Sequence, residues 1–215
     1  MPFAAELEIV LPPDLPNRRR VIENCARHLD MVAEVNQHMN LTRITSAREA
    51  AIKHVLDSVM PWRLFQGLNT VMDAGTGAGF PGIPLALALP DTRFTLVEST
   101  GKKARFVESV IQELALSNAH VAIERVEDLA KTTSFQVLTA RAFAPMPRAL
   151  KFLGPALKRG ARALLFKGPD VDSEIAEAAR DAKALGVSFT TAMQYELPDG
   201  FGARRIVEIR KEAKR

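Results

Sequence analysis

Residues 70–82 read Thr70-Val-Met-Asp-Ala-Gly-Thr-Gly-Ala-Gly-Phe-Pro-Gly82, an apolar strand pattern running straight into a cluster of glycines. Glycine has no Cβ and tolerates φ > 0, so such a loop lets backbone N–H groups approach a ligand where a strand hands over to a helix. The chain after it keeps the same rhythm. The spacing predicts strands at 70–74, 93–98, 119–123, 135–139, 161–166, 187–195 and 204–210. Helices are predicted at 82–89, 101–115, 147–158 and 172–185, with a short turn near 127–131. Short strands alternating with helices make a mostly parallel sheet. Asp199-Gly200 between the last two strands is a hairpin signal, so that terminal pair should be antiparallel.

The glycines support two spacings. Gly77, Gly79 and Gly82 satisfy the dinucleotide pattern G-x-G-x-x-G, whereas Asp73, Gly75, Gly77 and Gly79 satisfy D-x-G-x-G-x-G, the loop of enzymes that bind S-adenosylmethionine. Charge favours the second. A carboxylate at the strand end would repel a pyrophosphate but attract the ammonium and sulfonium of S-adenosylmethionine. Pro81 also lacks a backbone donor at the helix entry. Glu98, ending the second strand, is an acceptor placed for ribose hydroxyls on either reading. The expected architecture is therefore α/β, a Rossmann-like, S-adenosylmethionine-dependent methyltransferase fold with a seven-stranded sheet. Asp73 as a turn-former and Glu98 as a solvated strand end are the plainer alternatives.

Ahead of the sheet, residues 1–65 look helical and form a separate small extension, with residues 66–215 as the catalytic domain. Pro12, Pro13 and Pro16 mark the opening. Val21, Ile22, Cys25, Leu29, Val32, Asn36 and Met39 then fall at steps of three and four, led by Arg18 to Arg20. Ser46 and Glu49 have capping-box spacing for a second helix through Ile52, Val55, Leu56 and Val59 to Pro61. The lone Cys25 excludes a disulfide framework and a cysteine-built metal site. Neither a membrane span nor a secretory leader is expected, and a cytoplasmic monomer follows. The net charge of +4 lies wholly in residues 204–215, with six basic against two acidic residues there, which suits either a polyanion or a solvated tail.

Met72-Asp-Ala-Gly-Thr-Gly-Ala-Gly-Phe-Pro-Gly-Ile-Pro-Leu-Ala86 closely resembles the signature of the RsmG (GidB) methyltransferases, which methylate guanine N7 in 16S ribosomal RNA. Asn36, Asn40-Leu41-Thr42 and Lys53-His54-x-x-Asp57-Ser58 resemble upstream motifs of that family. Glu98-Ser99-Thr100-x-Lys102-Lys103, Val126-Glu127, Thr139-Ala-Arg141-Ala142 and Phe166-Lys167-Gly168 resemble downstream ones. Val35 stands where the family has tryptophan, and Lys53 where it has arginine. The resemblance implies S-adenosylmethionine as cofactor and 16S ribosomal RNA, or the small ribosomal subunit, as partner. It assigns cofactor contacts to Gly75, Phe80, Glu98, Val126, Glu127 and Arg141. Asp73, Gly77, Gly79, Ser99 and Thr100 complete the expected cofactor set.

Several of these residues carry two readings. Phe80 packs either on the cofactor or in the core, and Arg141 is either functional or a surface arginine. Lys167 meets RNA phosphate or braces local backbone. His54 and Asp57, one helical turn apart, read as a packed hydrogen-bonded pair, and Asn36 with Asn40 as braces of the helical cap against the sheet. Guanine N7 carries a lone pair and no proton, so the reaction needs alignment rather than a general base, and no catalytic residue is assigned. Phosphate-contact candidates are Arg18, Arg19, Arg20, Lys102, Lys103, Arg105, Lys167, Arg204, Arg205 and the tail. The competing functions are a methyltransferase acting on another RNA, a small molecule or a protein, and an RNA-binding module with a vestigial loop.

Overall fold

A computed structural model describes residues 2–212. Its centre is a seven-stranded sheet: β1 (Thr70–Ala74), β2 (Arg93–Val97), β3 (Ala119–Ala122), β4 (Val137–Arg141), β5 (Arg162–Lys167), β6 (Val187–Leu197) and β7 (Gly202–Lys211). The spatial order is β3-β2-β1-β4-β5-β7-β6. β1 to β5 are parallel, while β7 runs antiparallel to both β5 and β6. Order reverses between β1 and β4, where an open α/β sheet places its ligands outside the carboxyl strand ends. The β6–β7 turn has φ 58° at Asp199 and φ 73° at Gly200, the left-handed pair that a tight hairpin requires.

Strand side chains alternate between two apolar layers. Val71, Phe94, Leu96, Val137 and Leu164 face one layer, and Met72, Val97, Leu138, Ala163 and Leu165 face the other. The first is covered by α5 (Gly82–Ala88), α6 (Gly101–Glu113) and the amino-terminal helices; the second by α7 (Val126–Thr132), α8 (Met146–Lys158) and α9 (Val171–Leu185). One continuous core thus includes Leu7, Leu29, Ile52 and Phe65 together with Leu85 and Phe94, across the boundary at residues 65/66.

The amino-terminal layer contains α1 (Pro2–Val10), which sequence reading passed over, and α2 (Arg18–Met39). It continues with α3 (Ala47–Ala50), a π-helical segment Ala51–Leu56 and α4 (Asp57–Val59). Ser46 caps α3 by accepting from the Glu49 N–H at 3.2 Å, as its spacing predicted. The π turn was not foreseen. Asn36 and Asn40 do not brace the cap against the sheet. Asn36 exchanges two hydrogen bonds with the Thr42 backbone, and Asn40 ends α2 at φ 49°, so both shape the turn after that helix. No described helix is long and apolar enough to cross a membrane.

Candidate active site

The glycine loop is held from below by a carboxylate. Asp73, fully buried at the end of β1, accepts from Thr76 Oγ1 at 2.6 Å and from Gly82 N–H at 2.9 Å, both on Oδ2. Oδ1 has no hydrogen-bond partner, and burial raises the carboxyl to about 6. Asp73 therefore lies beneath the loop and fixes its shape, in place of the open ligand-facing position that its charge suggested. Above, the loop is left-handed at Gly75 (φ 68°), Gly77 (φ 61°) and Gly79 (φ 96°). A Cβ on Gly75 would meet the Phe143 ring at 2.7 Å, and one on Gly79 would meet Ile83 at 2.5 Å. Gly77 alone faces open space, its nearest neighbour being a backbone oxygen at 4.0 Å.

Glu98 lies just past β2 and is nearly buried. Its two oxygens accept from Gly77 N–H at 3.2 Å and Thr100 N–H at 2.8 Å. Each carboxylate oxygen can accept twice, so one position on each is left for a pair of ribose hydroxyls. Ser99 and Thr100 are exposed beside it, with Thr100 opening α6. Along the same edge, Val126 begins α7, and half-buried Glu127 stands 4.0 Å from Arg125. Ile123, just past β3, is 54% exposed. This uncovered apolar side chain, on the strand-end edge that also carries Glu98, escaped sequence reading because it merely looked like the end of a strand. Left-handed glycines, a spare acceptor pair on Glu98 and an apolar wall suit S-adenosylmethionine.

Phe80 takes the core position. Its ring is stacked between His28 (centroids 4.5 Å apart) and His54 (4.7 Å) and is nearly inaccessible. His28 Nε2 lies 2.7 Å from the Ala78 carbonyl, so α2 grips the glycine loop through this ring. Burial pushes His28 down to about 4; burial, and then the nearby Arg141 charge, push His54 down to about 3.

Arg141, at the end of β4, holds its guanidinium 5.5 Å over the Phe80 ring and turns its donors toward the amino-terminal helices. Its Nη1 donates to the carbonyls of Lys53 (2.7 Å) and His54 (3.3 Å) and lies 3.2 Å from Asp57 Oδ2. The widened π turn presents these carbonyls. Asp57 also accepts from Tyr195 OH at 2.9 Å and stands 3.5 Å from Arg204 Nε. The expected His54–Asp57 pair is absent. His54 instead pairs with Thr42 Oγ1 at 3.1 Å.

Next to the loop, at the carboxyl ends of β4 and β5, is a cavity of about 670 Å³ lined by His54, Arg141, Phe143, Phe166, Lys167 and Glu174, among others. Phe143 and Glu174 were not singled out from sequence. Lys167 bonds Glu174 Oε2 (2.6 Å) and the Ala144 carbonyl (2.8 Å), bracing local backbone.

The proposed phosphate contacts divide between two edges of the sheet. Lys102 and Arg105 are exposed and Lys103 half-buried at the start of α6, on the glycine-loop edge, with no ion pair among the described residues. Arg204 and Arg205 share that edge but are engaged, Arg205 by Asp172 at 2.7 Å and Thr191 at 3.1 Å. Arg18 to Arg20 lie at the opposite edge, where Asn17 bonds the Ala88 carbonyl at 3.0 Å. Arg18 is paired with Glu8 at 2.5 Å, and Arg19 with Glu23 at 2.9 Å. Lys211 also lies at that far edge, because β7 runs antiparallel to β5. Lys214 and Arg215 fall outside the described residues.

Comparison with solved structures places the fold among methyltransferases. The magnesium protoporphyrin IX methyltransferase of Synechocystis with bound SAM aligns with TM-score 0.58 at 18% identity, over 86% of this chain and 97% of that one. A SAM-dependent O-methyltransferase of Thermotoga maritima gives 0.56 at 15%, over 86% and 72%. Sequence relatives are nearer. The chain is 60% identical over 210 residues to the ribosomal RNA small subunit methyltransferase G of Solibacter usitatus, covering 98% of this chain and all of that protein. It is 40% identical to the protein of that name from Carboxydothermus hydrogenoformans, over 86% of this chain and 81% of that one. The family described as rRNA small subunit methyltransferase G, GidB, matches residues 21–198, and the chain belongs to it.

Proposed function

We propose that this chain transfers a methyl group from S-adenosylmethionine to N7 of a guanine in 16S ribosomal RNA, acting as a cytoplasmic monomer on that RNA or on the small subunit. The observation that carries this reading is the adjacency of the glycine cradle to the 670 Å³ cavity, at the edge where the sheet order reverses. The names of the relatives supply the RNA.

When bound, the cofactor supplies a methyl group on an electron-poor sulfur. The N7 lone pair forms the new N–C bond as the C–S bond breaks, the sulfur keeps that electron pair, and the positive charge passes to the purine. No proton leaves N7, and the side chains match that demand. His28 and His54 are buried and held neutral well below neutral pH. The protein's task is alignment. Asp73 and His28 fix the loop from two sides, Glu98 presents acceptors to the ribose, and the Arg141–Asp57 pair fixes the cavity wall. Lys102 and Arg105 meet phosphate at the same edge.

The test is incubation of the purified protein with methyl-labelled S-adenosylmethionine and small ribosomal subunits, followed by mapping of the modified base. Label at guanine N7 of 16S RNA is the expected result. Label in protein, or none, overturns the assignment.

A further inference from the structure

Two carboxylates line the cavity, and they differ in what they have left to offer. Asp57 has both oxygens engaged, by Tyr195, Arg141 and Arg204, and its side chain is 4% exposed. Glu174, in the first turn of α9, takes both Met146 N–H (2.7 Å) and the Lys167 ammonium (2.6 Å) on Oε2. No hydrogen bond reaches Oε1 among the described residues, and the side chain is 33% exposed. A carboxylate so held has a fixed direction and one unused oxygen with two lone pairs.

Toward the glycine loop the cavity wall carries Phe143. Ala142 adopts φ 50°, which a residue with a Cβ rarely does, and the turn it makes lays the half-buried Phe143 ring against Gly75. Phe152 supports that ring edge-on, with centroids 5.5 Å apart. From the glycine loop outward, β1, β4 and β5 follow in order, so two strand spacings, about 9–10 Å, separate the loop's strand from the strand carrying Lys167. A purine laid along Phe143 with its imidazole side toward the loop would turn its pyrimidine side toward β5 and Glu174.

We propose that Glu174 determines base specificity, its free Oε1 accepting the N1–H and N2 amino group of the target guanine. The proposal rests on guanine as the substrate base. Guanine presents two donors on the edge remote from N7. Adenine presents an acceptor at N1 and no amino group at C2, leaving the carboxylate unpaired against a lone pair. Hypoxanthine keeps N1–H and lacks the amino group. A site built to receive donors rejects the base without them, because its own polar group is then buried without a partner. Lys167 and Met146 N–H orient Glu174 and act through it, as positioning groups.

The test uses the full chain and small subunits reconstituted with guanine, hypoxanthine or adenine at the modified position, with single-turnover methyl transfer as readout. In Glu174→Gln the amide oxygen satisfies Met146 and Lys167, so the NH2 group turns toward the cavity and meets donor with donor. The native chain should prefer guanine over hypoxanthine by about tenfold or more. In Glu174→Gln and Glu174→Ala that ratio should fall close to one, with S-adenosylhomocysteine affinity at the native value. A variant that slows all bases equally and keeps the native ratio makes Glu174 a buttress of α8 and overturns the proposal. A native chain that leaves the guanine unmodified overturns the substrate reading itself, whatever the variants do.

Discussion

Arg141 and Asp57, 84 residues apart in sequence, form a buried ion pair with Nη1 and Oδ2 separated by 3.2 Å. It ties the end of β4 to the start of α4, just past the π-helical turn, and so joins the sheet to the helices that cover it. Removing one member of a buried pair strands the other. Asp57→Ala, which would leave Arg141, Arg204 and Tyr195 without their shared acceptor, should cost about 3–5 kcal/mol of stability in urea denaturation. A loss below about 1 kcal/mol, the range of exposed pairs, would show that the hub bears no weight.

At Gly75 the strain and the steric clash act together. Its φ is 68° and a Cβ would meet the Phe143 ring at 2.7 Å, so Gly75→Val must displace either the loop or the ring. The expected outcome is loss of S-adenosylhomocysteine binding in calorimetry, with an unchanged far-UV circular dichroism spectrum. Native affinity in this variant would remove the loop from the cofactor site.

Glu98 is expected to serve the ribose, which substrate and product forms of the cofactor share. Glu98→Ala should weaken S-adenosylmethionine and S-adenosylhomocysteine equally, by about 1.5–3 kcal/mol, the range for hydrogen bonds to a charged group. A loss confined to one ligand would contradict the role.

Acid should destabilise the fold through its histidines. An unfolded histidine protonates near 6.5, whereas burial delays His28 to about 4 and His54 to about 3, so as pH falls the unfolded chain gains protons that the native chain refuses. Asp73 acts in the opposite sense. Burial raises it from 3.8 to about 6, so the native chain takes up that proton first and offsets one histidine between those values. Stability should thus decline from pH 6.5 toward pH 4, by about 1.4 kcal/mol per unit per uncompensated group. Urea midpoints across that window check it: His28→Gln should flatten the decline, and a midpoint that rises with acidity would refute the account.

The RNA footprint should follow the sheet edge and ignore the excess of charge in the tail. Replacing Lys102 and Arg105 with Gln should weaken RNA binding and reduce the salt slope by about 1.4–1.8, whereas Lys211→Gln, at the far edge, should leave both near native. Affinities over a salt series decide it. A slope that responds to Lys211 and not to Lys102 and Arg105 would reverse the orientation of the RNA.

The parallel strands were legible because each is a short, largely apolar run, and the longer, more polar β6 and β7 because the Asp199-Gly200 pair between them accepts two left-handed positions in succession. The helix Pro2–Val10 buries Phe3 and Leu7, with Leu11 just past its end, but the prolines after it dominate the local pattern. Charge types at the site were legible and their directions were not. Asp73 and Glu98 both turn at least partly toward the loop's own N–H groups, a demand of the backbone that residue identity does not reveal. Arg141 meets partners 84 to 88 positions away, and Glu174 becomes part of the cavity only when α9 docks beside Lys167. Such meetings are properties of the assembled chain.

The bond from His28 to the Ala78 carbonyl has an implication for how the enzyme comes into being. One side of the cradle depends on α2, near the amino terminus, and its floor on Asp73 of β1, while the adjoining cavity is walled by β4 and α9. Synthesis delivers these parts at widely separated times, so a nascent chain that has completed only the glycine loop presents no finished receptor. A ligand held by the finished cradle stabilises in one step segments that lie far apart in the polypeptide.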